Sequence, residues 1–275
     1  MEYKHLKVKR DSNLLSCQLV NPPLQVFNAA MMGELNHLLG EVERDPSVRV
    51  FLVTGTDGVF LRWMDLQEMS DHAETDLSTV VQIPVLSPIH ELSLRIQALN
   101  AVTIAAINGV VGGGGCEFSL SFDFRLMSKG GERYSEPVTF SLPQSSFGLV
   151  PGGGGAWHCV RLLGRAKALD VLLHGEFMPP EQALELGLIS RLFDADTFEA
   201  DVDAFVENMV KRAPLAMQGV KRLVNAGCND QQLNFYASEA KELTQVLTSE
   251  DVAHALTMWL SNPDPEAYDP QFKGK

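Results

Sequence analysis

The residues best placed to do chemistry lie in one stretch. Val102 to Ile107 is followed by Asn108-Gly109, two valines, the four glycines Gly112 to Gly115, and then Cys116-Glu117. The apolar run reads as a buried strand, and a short helix is expected over Phe118 to Phe122 after the glycines. Glycine lets backbone N–H groups approach a ligand with no Cβ in the way. A helix N-terminus adds partial positive charge. Together they suit a developing oxyanion, although a tight packing turn has the same signature. A nucleotide loop fits poorly. There is no G-K-[ST] after the glycines and no G-x-G-x-x-G behind the first strand, and a carboxylate at Glu117 would repel phosphate. That carboxylate is better suited to act as a base beside an acyl group. Nucleophilic catalysis has little support, because no G-x-S-x-G elbow occurs and no base is placed beside Ser145-Ser146.

The elements that must position this stretch follow from periodicity and breakers. Strands are expected at Leu14 to Val20, Val48 to Thr54, Val102 to Ile107, Phe124 to Met127, Thr139 to Leu142 and Leu188 to Leu192. Helices are expected at Met31 to Val42, His90 to Ala98, Ala156 to Leu163, Ala166 to His174 and from Pro179-Pro180-Glu181 to Gly187. Asp71 to Pro88 reads as a loop, and Phe147 to Gly155 as a second glycine-rich turn. Beyond about Thr197 the pattern is helical to Asn262, with a loose tail after it. Strands alternating with helices make an α/β body with much parallel pairing.

Bulk properties narrow the functions further. The chain has 275 residues, of which 45% are hydrophobic and 21% charged, enough for a sizeable globular core. A net charge of -13 argues against nucleic acid and anionic membrane as partners. No apolar stretch is long enough to span a membrane, and Met1 to Arg10 lacks a signal-peptide pattern, so a cytoplasmic location is expected. Cys17, Cys116, Cys159 and Cys228 fit no metal spacing and read as buried thiols.

From Val8 to Asn262 the sequence resembles the crotonase (enoyl-CoA hydratase/isomerase) superfamily. The landmarks occur in the family's order: Asn21-Pro22 with Asn28-Ala29, Val53-Thr54-Gly55, Phe60 to Met69, Ala105 to Glu117, Asp123 to Arg125, Phe140 to Gly155, Leu162-Leu163-Gly164 and Ala183 to Leu192. The resemblance implies a crotonase-like spiral of repeated ββα units. Residues 1–197 would form the core with its acyl-CoA site, and residues 198–275 a helical region that builds trimers or hexamers. It implies an acyl-CoA or acyl-carrier thioester as substrate and no cofactor beyond that coenzyme A. By motif position Met64 and Gly114 would be the oxyanion donors and Glu117 the general base/acid. Trp63, Asp65, Leu66 and Gly113 would line the substrate site, and Lys221 would lie near the CoA end.

The sequence departs from the family at three places. Arg62 and Trp63 stand where the family has small residues; Arg62 could reach a CoA phosphate. Gln144 stands where a hydratase has its second glutamate, and an amide can hold a water but cannot exchange a proton at neutral pH. His90 resembles a histidine near the acyl pocket of aromatic-CoA members, whose nucleophilic aspartate would fall at Gly152. One acid suffices to shuttle a proton between two carbons of an enolate, so isomerase-like chemistry is favoured. A decarboxylase or C–C hydrolase on a β-dicarbonyl thioester, and a binding subunit without catalysis, stay open.

Overall fold

Two sheets and the helices between them form the body of the protein. The computed structural model describes residues 2–56, 58–65, 68, 87–147, 149–228, 250–251, 254, 258, 261 and 271–275. The larger sheet runs β1 (Leu6–Asp11), β2 (Leu14–Leu19), β3 (Val50–Thr54), β5 (Val102–Ile107), β7 (Phe124–Ser128) and β10 (Arg191–Phe193) in spatial order. β1 and β2 are antiparallel and every other pair is parallel. The smaller sheet runs β4 (Val59–Leu61), β6 (Val110–Gly112), β8 (Phe140–Ser141) and β9 (Phe177–Met178).

The chain alternates between the sheets. β3, β5 and β7 each add a strand to the large sheet, and β4, β6 and β8 each add the next strand to the small one. This is the expected spiral of ββα units. β3 and β5 read as unbroken apolar runs because both faces of the large sheet are covered. Phe51, Val53, Ala105 and Ile107 face a core shared with α1 (Ala29–Arg44), α2 (Pro88–Ala98) and α3 (Gly114–Ser119). Val50, Leu52, Ile104 and Ala106 face the other way, under Phe198, Val202 and Val206 of α6 (Phe198–Val210).

α4 (Gly155–His174) bends at Gly164, whose φ of 74° ends one helix and starts the next. The two helices expected on either side of it are both present and meet at this residue. α5 (Pro180–Leu186) and α7 (Pro214–Gly227) complete the described elements. β1 leaves no mark in the sequence pattern because only Leu6 of its six residues is buried. The helix expected over 118–122 begins earlier, at Gly114, within the glycine run. Leu188 belongs to the turn ending α5, donating to Ala183 O, so pairing with β7 starts only at Arg191. Cys17, Cys116 and Cys159 are buried, but Cys228 is exposed, contrary to expectation. The loop expected over Asp71 to Pro88 falls mostly outside the described residues.

Candidate active site

The four glycines face one strip of chain. A Cβ on Gly112 would lie 2.7 Å from Arg62 O, one on Gly113 3.2 Å from Trp63 Cβ, and one on Gly115 2.4 Å from Leu61 O. One on Gly114 would lie 2.7 Å from Met64 Sδ and 3.6 Å from Met64 N. No side chain fits between β6 with its helix start and the strip 61–64, so the two backbones come close. Phe27 bridges the strip from its other side: its N–H donates to Trp63 O, and its carbonyl accepts from Asp65 N–H. Parallel pairing there uses the amides on either side of Met64 and leaves the Met64 N–H turned away. Among the described residues neither the Met64 nor the Gly114 N–H has an acceptor. Two amides side by side and unpaired are what an incoming carbonyl oxygen needs.

Glu117 sits on the first turn of α3 and is 3% exposed. Its Oε1 accepts from Gly153 N–H at 2.8 Å and Gly155 N–H at 2.9 Å. Its Oε2 accepts from Gln144 Nε2 at 3.1 Å. Burial raises the carboxyl above the usual glutamate range, and these three donors partly offset it. A carboxylate so held, with its pKa raised, can take up and return a proton. Gln144 opens a short 3-10 turn, Gln144–Phe147. Its Oε1 is buried and has no donor among the described residues.

The remaining sequence candidates fall in different places. Arg62 forms a two-pronged ion pair with Glu136, and its guanidinium lies 5.9 Å from the Trp63 ring centroid. A CoA phosphate would have to compete with that carboxylate. Asp65 Oδ1 accepts from Glu68 N–H, and Glu68 in turn caps the start of α1 through Ala29 N–H. Leu66 lies outside the described residues. His90 caps α2, its Nδ1 accepting from Ser87 N–H at 3.3 Å. Gly113, with φ of 49°, turns the chain into α3. Lys221 is an internal bolt: it donates to Ile96 O and Ala101 O and pairs with Asp123 at 2.8 Å.

Sequence reasoning missed the cradle made by Gly153 and Gly155, although the run of glycines after Pro151 was its signal. It also missed a buried polar cluster. Ser93 Oγ meets His158 Nε2 at 3.2 Å, Ser121 Oγ at 2.8 Å and Gln97 Nε2 at 3.1 Å. Serines and a histidine on apolar faces carry no periodic mark. Among the described residues no group of three acidic, histidine or cysteine side chains is arranged to hold a metal, and no helix is long and apolar enough to cross a membrane.

Comparison with known proteins bears on this geometry. A family model described as "Enoyl-CoA hydratase/isomerase" matches residues 9–275. The 2,3-dehydroadipyl-CoA hydratase of Escherichia coli is 29% identical over 98% of this chain and 99% of its own. A short-chain-enoyl-CoA hydratase of Clostridium acetobutylicum is 24% identical, covering 98% of this chain and 99% of its own. Among solved structures, an enoyl-CoA hydratase of Geobacillus kaustophilus superposes with a TM-score of 0.88 at 24% identity, over 100% of this chain and 98% of its own. One from Bacillus anthracis gives 0.86 at 23%, over 99% and 100%.

Proposed function

The chain belongs to the enoyl-CoA hydratase/isomerase family, and from that premise we propose that it moves one proton along an enolised acyl thioester, with Glu117 as the group that carries it. The observation that carries this reading is the pairing at Glu117: one buried carboxylate, held by three N–H donors, beside an amide where a second acid would stand.

The thioester carbonyl oxygen accepts from the Met64 and Gly114 N–H groups. Removing one such donor typically costs a hundredfold to a thousandfold in rate, about 3–4 kcal/mol. The polarised carbonyl makes the adjacent C–H acidic. Glu117 Oε1 is pinned by two amides, so Oε2 is the working atom. In a 3-enoyl thioester it takes the proton from C2, the negative charge spreads to the carbonyl oxygen and C4, and the same proton returns to C4. The double bond moves from C3–C4 to C2–C3, with no gain or loss of water. Gln144 Nε2 holds the carboxylate in line and donates no proton.

Hydration is the second reading, favoured by Gln144 Oε1. Buried with no donor among the described residues, it could accept one hydrogen of a water whose other hydrogen goes to Glu117, and the two relatives named above are hydratases. The exposed valines 220 and 224 of α7, each 60% accessible, fit a helical region from residue 198 that assembles copies of the chain.

Proton transfer to carbon is tested by incubating the protein with butyryl-CoA in deuterated water. Exchange of the C2 hydrogens that disappears in Glu117→Gln supports the reading. Exchange at the same rate in the variant removes Glu117 from it.

A further inference from the structure

β4 ends at Leu61, short of the oxyanion donor Met64. Past that end the backbone bonds of the strip run to one short segment, residues 25–27. Arg62 N–H donates to Gln25 O at 3.1 Å, Phe27 N–H to Trp63 O at 2.8 Å, and Asp65 N–H to Phe27 O at 3.0 Å. Where the Met64 N–H points therefore depends on where residues 25–27 sit.

The side chain of Gln25 sets that place. It is 3% exposed, and a buried amide is stable only when its hydrogen bonds are met. Gln25 Oε1 accepts from Asn21 N–H at 2.6 Å. Its Nε2 donates to Leu19 O at 2.6 Å and to Phe60 O at a longer 3.4 Å. The flipped amide would set its oxygen against both carbonyls, so only this orientation satisfies the site. Leu19 is the last residue of β2 in the large sheet, and Phe60 lies in β4 of the small one. One side chain thus ties both sheets to the turn after β2. The backbone of Gln25 has a φ of 54°, in the left-handed region that favours glycine. A glutamine stays there only when its surroundings hold it, and such residues cluster where geometry is put to use.

We propose that Gln25 is a positioning residue of the oxyanion site. It anchors residues 25–27 to the large sheet, and through the Arg62, Trp63 and Asp65 bonds it aims the Met64 N–H at the thioester oxygen. Among the described residues its side chain bonds to neither Met64 nor Glu117, so it acts on the aim of the donor and leaves the proton carrier alone. This rests on the thioester reading above and adds a residue to it.

The test pairs exchange of the C2 hydrogens of butyryl-CoA with the infrared band of its bound carbonyl, isotope-labelled to set it apart from the protein. In the wild type the band lies below that of the free thioester, because two N–H donors polarise the carbonyl. Gln25→Gly suits the left-handed backbone and removes only the side chain, so it is the deciding variant. Its band is expected to move back toward the free value. Its exchange rate at saturation should fall by about tenfold to a hundredfold, the size of a misplacement on the order of an ångström, with the butyryl-CoA dissociation constant little changed. Gln25→Glu sets an oxygen against the Leu19 and Phe60 carbonyls and, where circular dichroism shows it folded, should shift the band at least as far. A Gln25→Gly protein with the wild-type rate and band overturns the proposal. A lost rate with an unmoved band overturns it too, because the donor is then still in place. In both cases wild-type exchange leaves the thioester reading standing. A wild-type protein with neither exchange nor a shifted band removes that reading, and the Gln25 assignment with it.

Discussion

The two glycine runs look alike in sequence and differ in what they do. In Gly112 to Gly115 each residue is pressed against the strip 61–64, with hypothetical Cβ contacts down to 2.4 Å from a backbone carbonyl. Glycine is required there for close approach, and the amides at Gly114 and Met64, which have no acceptor among the described residues, result from it. In Gly152 to Gly155 the demands are uneven. Gly152 has nothing within 4 Å, Gly154 has a φ of 96°, and a Cβ on Gly155 would lie 2.9 Å from Glu117 Oε1. The second run orients two amides on a side chain and does not join two backbones. Glycine runs therefore mark where backbone amides are put to use, and only the opposing surface says for what.

The largest effect that would sharpen this contrast is expected at Gly115→Ala. The obstacle is the Leu61 carbonyl, which cannot swing aside, so the variant should lose about 3 kcal/mol or more in a urea titration, along with all activity. Retention of both would show that the two backbones can part. Next is Glu117→Gln, expected to lower kcat by about a thousandfold with stability unchanged or raised, since it removes a buried charge without changing shape. Gly155→Ala meets a movable carboxylate, so activity should fall about tenfold while the unfolding midpoint moves little; a loss as large as at Gly115 would erase the distinction between the runs. The smallest effect belongs to Gly152→Ala, expected to be neutral or a few tenths of a kcal/mol stabilising through the unfolded chain.

The pH profile separates the carboxylate from its surroundings. Because burial raises the Glu117 pKa, the ionised base is lost as pH falls through that raised value. The acid limb of kcat/KM should therefore lie above the ordinary glutamate range near 4.5. Gln144→Glu, placing a second carboxylate within 3.1 Å, should move that limb higher still. A limb at or below the ordinary value in both proteins would mean that the cradle outweighs burial.

Much of this arrangement is legible in the amino-acid sequence. The buried runs at 50–54 and 102–107 mark the large sheet, and the glycines with Glu117 mark the site. Strands β4, β6 and β9 have two or three residues each, too few to show a period. The Arg62–Glu136 pair joins positions 74 residues apart, and no local pattern announces such a partner. Lys221, expected near the CoA end, is held on Asp123, on the Ile96 carbonyl of α2 and on the Ala101 carbonyl that precedes β5. His90, expected near an acyl pocket, caps its helix through the Ser87 N–H. A side chain's role depends on what the fold brings opposite it, and spacing along the chain does not carry that information.

The central claim is that one carboxylate moves one proton. Its most direct test follows the conjugated enoyl thioester by absorbance, using purified protein with 3-hexenoyl-CoA and 2-hexenoyl-CoA and with Glu117→Gln alongside. The account predicts conversion of the 3-enoyl to the 2-enoyl thioester, abolished in the variant, and little loss of conjugation when 2-hexenoyl-CoA is supplied. Rapid hydration of 2-hexenoyl-CoA, with no isomerisation of the 3-enoyl thioester, would contradict it.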